Sequence, residues 1–306
     1  MSLIIAYIGK KGCVMASDKR KIGYFGNKEN LDELETELYG GTISSDEEFL
    51  KRAEELGISV KVTDDANKIR VVGNAVCGEV SSKGALETKR RRVYGTTNGY
   101  QLVKLVGSET VSRTYGEKGI IIFGNNFAKK QAETLINRYW KSSQSLKYMG
   151  EIFEKILSEI STKTPTVSDN FDVLIQSPNF TPSEAQKHLN ITIDQDIKLL
   201  VKFRNQLLEN MVQQKLEIEM SKKIIDKGEV GKVVSIDNNM LQVQLNNKTQ
   251  AVDENWKQLV GPGENVLMIS NSEDVEIGDK VVIENEELCL KKDKSALQCK
   301  VILCSL

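Results

Sequence analysis

The first seventeen residues constrain the fold more tightly than any other part of the chain. Leu3-Ile4-Ile5-Ala6-Tyr7-Ile8 is an unbroken apolar run, followed by Gly9-Lys10-Lys11-Gly12 and then Cys13-Val14-Met15-Ala16-Ser17. Two short strands joined by a glycine-flanked turn are the direct reading. A strand that is apolar at successive positions has no side for water, so it lies in a sheet covered on both faces. The run begins at the start of the chain, which is therefore anchored where termini usually fray.

Composition narrows the chemistry. The chain has 306 residues, with 42 Lys+Arg against 43 Asp+Glu and a single His. That length allows about two domains and a sizeable core. A formal net charge of -1 gives no global case for a nucleic-acid or membrane partner. His188, in the polar helical stretch Ser183-Glu184-Ala185-Gln186-Lys187-His188-Leu189, has no neighbouring ligand pattern and reads as an ordinary surface residue. Histidine-based triads therefore have no base here, and multi-histidine metal sites are excluded. The five cysteines (13, 77, 289, 299, 304) are scattered and odd in number, as free thiols in a reducing cytoplasm would be. The first residues are too short and too soon charged for a signal peptide, and no apolar run reaches the ~20 residues of a membrane span. A cytoplasmic protein with neither metal nor cofactor is expected.

The pattern beyond the hairpin is mixed. Residues 28–57 are polar and acidic, with a helix from Asp46 to Leu56 capped by Ser44-Ser45, and read as an insertion. Strands and turns follow to Tyr115, among them Ile69–Val72, Val76–Val80, Arg92–Tyr94 and Tyr100–Val106. Ile120-Ile121-Ile122-Phe123-Gly124 is a buried strand leading into two amphipathic helices, and Phe171–Ile175 is another strand. Strands, helices and strands again imply helices layered over sheets in an α+β domain. A long helix spans about Asp194 to Ile225; short alternating runs with glycine turns then read as a small β-barrel. The expected division is 1–190 for the main domain with an insertion at about 27–90, 191–227 for a connecting helix, and 228–306 for the barrel.

Three residues combine into possible chemistry. Removal of Met1 would leave Ser2 at the N-terminus, a hydroxyl beside an α-amine of pKa ~7.7–8.0 able to serve as its base. Ser after Met is common, but this one leads straight into a buried strand. Asp18 closes the second strand and, in a hairpin, falls beside Ser2. Gly124 stands where a strand meets a helix, so backbone N–H groups there can stabilise an oxyanion. Lys89-Arg90-Arg91-Arg92 has too little aromatic interleaving for a nucleic-acid site and reads as a solvated strand edge or the rim of an acidic-peptide site, with Arg90 and Arg91 the candidates. The glycines at 9, 12, 23 and 26 lack the G-K-[ST] ending of a phosphate loop.

Ser2 opening a strand, Gly9–Gly12 and Met15-Ala16-Ser17-Asp18-Lys19-Arg20 together resemble proteasome β subunits, which are N-terminal-nucleophile hydrolases. Asp18 and Arg20 fit the family pattern A-[ST]-D-x-R. Ile120–Asn125 is similar to the strand and oxyanion glycine of that family, and Ser168-Asp169-Asn170-Phe171-Asp172 to its Asp-x-x-Ser stretch, with Asp169 matching and Asp172 in place of the serine. More closely, the start M-S-L-I-I-A-Y-I-G-K-K-G, the insertion, Gly78–Ser82 with K-R-R-R, and the C-terminal β domain resemble the connectases of methanogenic archaea, proteasome-related protein ligases. The resemblance implies a four-layer αββα N-terminal-nucleophile sandwich with a small C-terminal β-barrel domain. It also implies a lysine at the start of the strand preceding the oxyanion strand, lowering the pKa of the nucleophile. Counting back from Gly124 reaches the strand Thr110–Tyr115, whose cation is Arg113, with Lys104 the alternative.

The resulting expectation is an acyltransferase. It would cleave after Asp in a K-D-P-G-A-like motif, hold the upstream part on Ser2 and pass it to an amine beginning Pro-Gly-Ala. Asp18 would orient, Gly124 would donate to the oxyanion, and Asp169, Arg20, Arg90 and Arg91 would complete the site. The partner would be a peptide or protein such as a methanogenic methyltransferase subunit, and the chain a monomer. The competing readings are an inactive proteasome-like adaptor and a peptidase that hydrolyses.

Overall fold

The structure, a computed structural model, describes residues 3–84, 87–141 and 144–306. It divides into two compact units, Met1–Arg204 and Asn205–Leu306.

In the first unit, β1 (Ile4–Gly9) and β2 (Gly12–Asp18) form the hairpin anticipated from the apolar runs, with Ile4 opposite Ser17 and Gly9 opposite Gly12. Gly12 sits at φ 145°, and a Cβ there would lie 2.5 Å from the carbonyl oxygen of Gln176, so this corner admits only glycine. The hairpin is the centre of a four-stranded antiparallel sheet, with β10 (Gly119–Phe123) beside β1 and β11 (Phe171–Gln176) beside β2.

Alternation along the central strands sends side chains into two different cores. Leu3, Ile5, Val14 and Ala16 pack against α3 (Asn126–Tyr139) and α4 (Leu146–Ser161), meeting Ala132, Phe153 and Ile156. Ile4, Ala6, Ile8, Cys13 and Met15 face the other way, toward Val76 and Val93. Those two belong to a five-stranded meander of β5 (Ile69–Val72), β6 (Ala75–Lys83), β7 (Thr88–Thr96), β8 (Gly99–Val106) and β9 (Glu109–Gly116). Its outer face, with Cys77, Tyr94, Val103 and Leu105, is covered by Leu189 and Ile193 of α5 (Pro182–Ser221). The layers therefore run helix pair, sheet, sheet, helix.

Two boundaries differ from the sequence expectation. A satellite core holds β3 (Lys21–Phe25), α1 (Lys28–Gly40), α2 (Asp46–Glu55) and β4 (Ser59–Thr63) around Leu34, Leu38, Phe49 and Ile58. The insertion is thus narrower than 27–90, because residues 69–83 and 88–96 are strands of the five-stranded sheet. Helix α5 begins at Pro182 rather than near Asp194. Thr181 and Glu184 form a capping box, with Glu184 accepting from Thr181 N at 2.8 Å, and proline suits the first helical position. The two units divide within α5 and not at residue 190 or 227.

The second unit contains β12 (Gly228–Asp237), β13 (Met240–Leu245), β14 (Thr249–Val252), β15 (Gln258–Val260), β16 (Asn265–Ser270), β17 (Lys280–Glu284), β18 (Glu287–Leu290), β19 (Leu297–Gln298) and β20 (Ile302–Ser305). Six strands in the order β18-β17-β12-β13-β16-β19 form one sheet, and a bridge between Cys289 and Ala296 brings its two ends nearly to closure. A three-stranded sheet, β15-β14-β20, completes the wall around Val233, Val243, Met268 and Leu303.

Candidate functional site

The ends of four strands converge on Asp18. Extending the β1–β2 register by one step sets Leu3 opposite Asp18, and extending β1–β10 sets Leu3 opposite Gly124. On the far side of β2, Asp18 pairs with Phe171. Leu3 itself therefore lies between the end of β2 and the end of β10. Ser2, the expected nucleophile, lies outside the described residues.

Asp18 is fully buried, and its carboxylate is fully engaged. Oδ1 accepts from Leu3 N at 2.7 Å, while Oδ2 accepts from Arg20 N at 2.9 Å and from Lys68 Nζ at 2.6 Å. A buried carboxylate is tolerated only with such partners. Lys68 immediately precedes β5 and is itself buried; its carbonyl accepts from Glu79 N, which fixes it on the five-stranded sheet. Burial pulls the Lys68 ammonium below the usual lysine value, and the opposing attraction of Asp18 only partly restores it. The site thus holds a lysine that sheds its proton more readily than a free one.

Sequence counting missed Lys68 because it sits 50 positions from Asp18, behind the satellite core. The available signal was a lysine directly before the short apolar strand Ile69–Val72. The cations expected instead lie elsewhere. Arg113 binds Asp194 of α5 at 2.6 Å on the outer layer, and Lys104 is exposed on β8. Neither contacts Asp18.

Arg20 ties the surroundings together. Its Nε and Nη2 form a bidentate pair with Asp64, both at 2.9 Å, and Nη1 donates to Asp46 at 2.6 Å and to the Pro165 carbonyl at 2.9 Å. Hydrogen bonding to Asp64 raises its pKa above even the usual arginine value. This guanidinium is committed to the protein, holding the start of α2, the end of the satellite core and the loop before β11 around Asp18. It is not presented to a ligand.

The last wall is residues 164–170. Ser168 is buried, accepts from Lys19 N at 3.1 Å and donates to the Asn170 carbonyl, whereas the expected Asp169 points outward and is exposed. Asp172 pairs with Lys19 at 3.0 Å. Gly124 leads into α3, whose cap Asn125 accepts from Ala128 N at 2.7 Å and donates to Thr166 at 2.9 Å. The positive end of a helix dipole is therefore fixed beside Gly124.

Of the basic cluster, Arg90 turns to the α5 side, donating to the Gly107 carbonyl at 2.7 Å and facing Glu79. Arg91 turns to the opposite side, its guanidinium 4.9 Å from the centre of the Phe123 ring. His188 is half-buried on α5, where it packs on Phe180 and accepts from Asn74 N. Burial pushes the thiols of Cys13 and Cys77 up to about 12, which removes them as nucleophiles. No helix among the described residues is long and apolar enough to cross a membrane.

Comparison with known proteins adds the lineage. The family model described as Connectase MJ0548-like, N-terminal domain, matches residues 1–198, and its C-terminal counterpart matches residues 202–304. No curated protein matches the chain. Among solved structures, an Anbu mutant from Hyphomicrobium sp. strain MC1 is similar at 10% identity, over 58% of this chain and 82% of that one, with a TM-score of 0.29. Anbu (ancestral beta-subunit) from Yersinia bercovieri is similar at 11% identity, over 69% of this chain and 97% of that one, with a TM-score of 0.25. These overlaps are too loose to carry the assignment, which rests on the two family models: the chain belongs to the connectase family.

Proposed function

We propose that this chain is an N-terminal-nucleophile acyltransferase, a protein ligase related to proteasome β subunits, with Ser2 as its nucleophile. The observation that carries this reading is the shared carboxylate of Asp18. It holds Leu3 N on one oxygen and the buried, weakened Lys68 ammonium on the other, so one carboxylate links the first strand's leading backbone amide to that cation. Gly124 stands across from Leu3 at the head of α3.

With Met1 removed, the Ser2 hydroxyl attacks a peptide carbonyl and its proton passes to the α-amine. The oxyanion forms against the backbone at Gly124. As the tetrahedral species collapses, the C–N bond breaks, the departing amine takes the proton, and an ester remains on Ser2. An O-to-N shift moves the acyl group to the neighbouring amine, and the resulting amide resists water better than an ester. Reversal of that shift and attack by an incoming amine complete transfer and regenerate Ser2. The substrate suggested by the family resemblance is a K-D-P-G-A-like sequence cut after Asp, with a Pro-Gly-Ala amine as acceptor and a methanogenic methyltransferase subunit as its source.

Intact mass after incubation with such a peptide tests this reading. An adduct of the upstream fragment, abolished by Ser2→Ala, is expected; the same adduct in Ser2→Ala rules Ser2 out. Exchanged peptides mark a ligase, free carboxyl products a peptidase, and unaltered peptide an adaptor.

A further inference from the structure

The cluster Lys89–Arg92 is a strand, so its side chains divide by parity. Arg90 and Arg92 point to the α5 side, where Glu79 and Asp196 neutralise them. Arg91 shares the opposite face with Val93, which packs on the four-stranded sheet. There it meets another cation. Arg91 is directly paired across the ladder with Lys104 of β8, on the same face. Both side chains are exposed, and neither has an ion pair or side-chain hydrogen bond among the described residues.

Like charges directly opposite on adjacent strands repel and lower stability. Alternation also leaves their cross-strand neighbours, Val80 and Ser112, without a charge to offset them. Arg91 is held in place nevertheless, since its guanidinium stacks on the buried ring of Phe123. Phe123 is the last residue of β10, bonded to Gly124 and paired with Ile4. Two unneutralised cations thus stand at the edge of the very strand end where a carbonyl would be attacked.

We propose that Arg91 and Lys104 form a receptor for a carboxylate of the peptide substrate, placed within a residue or two of the attacked carbonyl. This rests on the acyltransferase reading above for the meaning of the site, though not for the charge pair itself. The planar guanidinium, pre-oriented by the ring, supplies a forked donor, and Lys104 supplies a point charge beside it. A bound carboxylate turns the repulsion between them into a shared attraction.

The test uses the full-length protein and fluorescent peptides of one sequence in which a single Asp, with Asn as its control, is moved from position to position. Anisotropy is expected to show one position at which Asp binds about tenfold more tightly than Asn, the size of one charge-assisted contact. That ratio collapses toward one in Arg91→Gln and in Lys104→Gln, falls below one in Arg91→Glu, and shrinks with added salt. Thermal melting keeps folding separate from binding: the Gln variants, relieved of repulsion, melt no lower than the parent. An Asp preference retained in both Gln variants, or no preference at any position, overturns the receptor. Mass spectra of the same mixtures read acyl capture independently. Adducts without a charge preference sink the receptor alone; a charge preference without adducts sinks the acyltransferase and leaves the receptor standing.

Discussion

Two buried carboxylates in the first unit look alike and do different work. Asp18 and Asp196 are both buried and both take three hydrogen bonds. Asp196 on α5 receives Arg70 Nη2 at 2.6 Å, Arg92 Nη1 at 3.0 Å and Tyr94 Oη at 2.6 Å. Burial alone would raise its pKa, yet Arg70 and Tyr94 bond to it and hold it below the ordinary value. Around Asp196 the cations are guanidinium groups that never lose their proton, so this cluster is a permanent tie between the outer helix and the five-stranded sheet. Around Asp18 the cation is a lysine weakened by burial, and its other partners are backbone amides. On the acyltransferase reading, what separates the strut from the proposed reactive site is whether the charge opposite the carboxylate can leave.

Exchanging that charge should break the contrast most sharply. Lys68→Arg keeps a cation but forbids its deprotonation, and acyl capture measured in a single turnover is expected to fall by ~10²–10⁴-fold, the range of general acid–base contributions. The pH profile carries the sign. In the parent, capture rises with pH as the Ser2 α-amine loses its proton and again as Lys68 sheds its own below the usual lysine value; in Lys68→Arg only the α-amine rise remains. Folding stability rises with pH over the same window, because the unfolded chain retains a proton that the fold has released. A parent profile identical to that of Lys68→Arg would dissolve the distinction.

Next in size, Asp196→Ala leaves Arg92 buried and partly unpaired. A loss of about 3 kcal/mol in chemical denaturation is expected, without a change in the pH profile of acyl capture. A profile that moves would make Asp196 part of the chemistry. Tyr94→Phe removes one bond to the same carboxylate and should cost about 1.5 kcal/mol by the same assay. Arg113→Ala breaks an exposed pair with Asp194 and should shift stability by less than ~0.5 kcal/mol; a large effect would give the outer-layer ion pair a role that its exposure denies.

How much of this was legible follows the range of the interactions. The hairpin, Asp18 at its end and the glycine before α3 are written in contiguous apolar runs and their punctuation, so they can be read locally. Lys68 cannot, since only the pairing of two sheets brings it to Asp18 across the whole satellite core. Arg20 was legible as a position but not as a role, because Asp46, Asp64 and Pro165 converge on it only in three dimensions. Asp169 illustrates the opposite error: the stretch approaches the site, but the strand entry turns Ser168 inward and Asp169 outward.

Ser168 and Asn170 also set a clock. They bond to Lys19, 149 and 151 positions earlier, and the strand that follows them closes the sheet over Asp18. A ribosome adding ~5–20 residues per second needs on the order of ten to thirty seconds to cover that interval. Throughout it, the first strand has emerged while its flank is still unmade. The surroundings of Asp18 are therefore completed only once the chain is more than half built, and the order of synthesis sets when this corner can close.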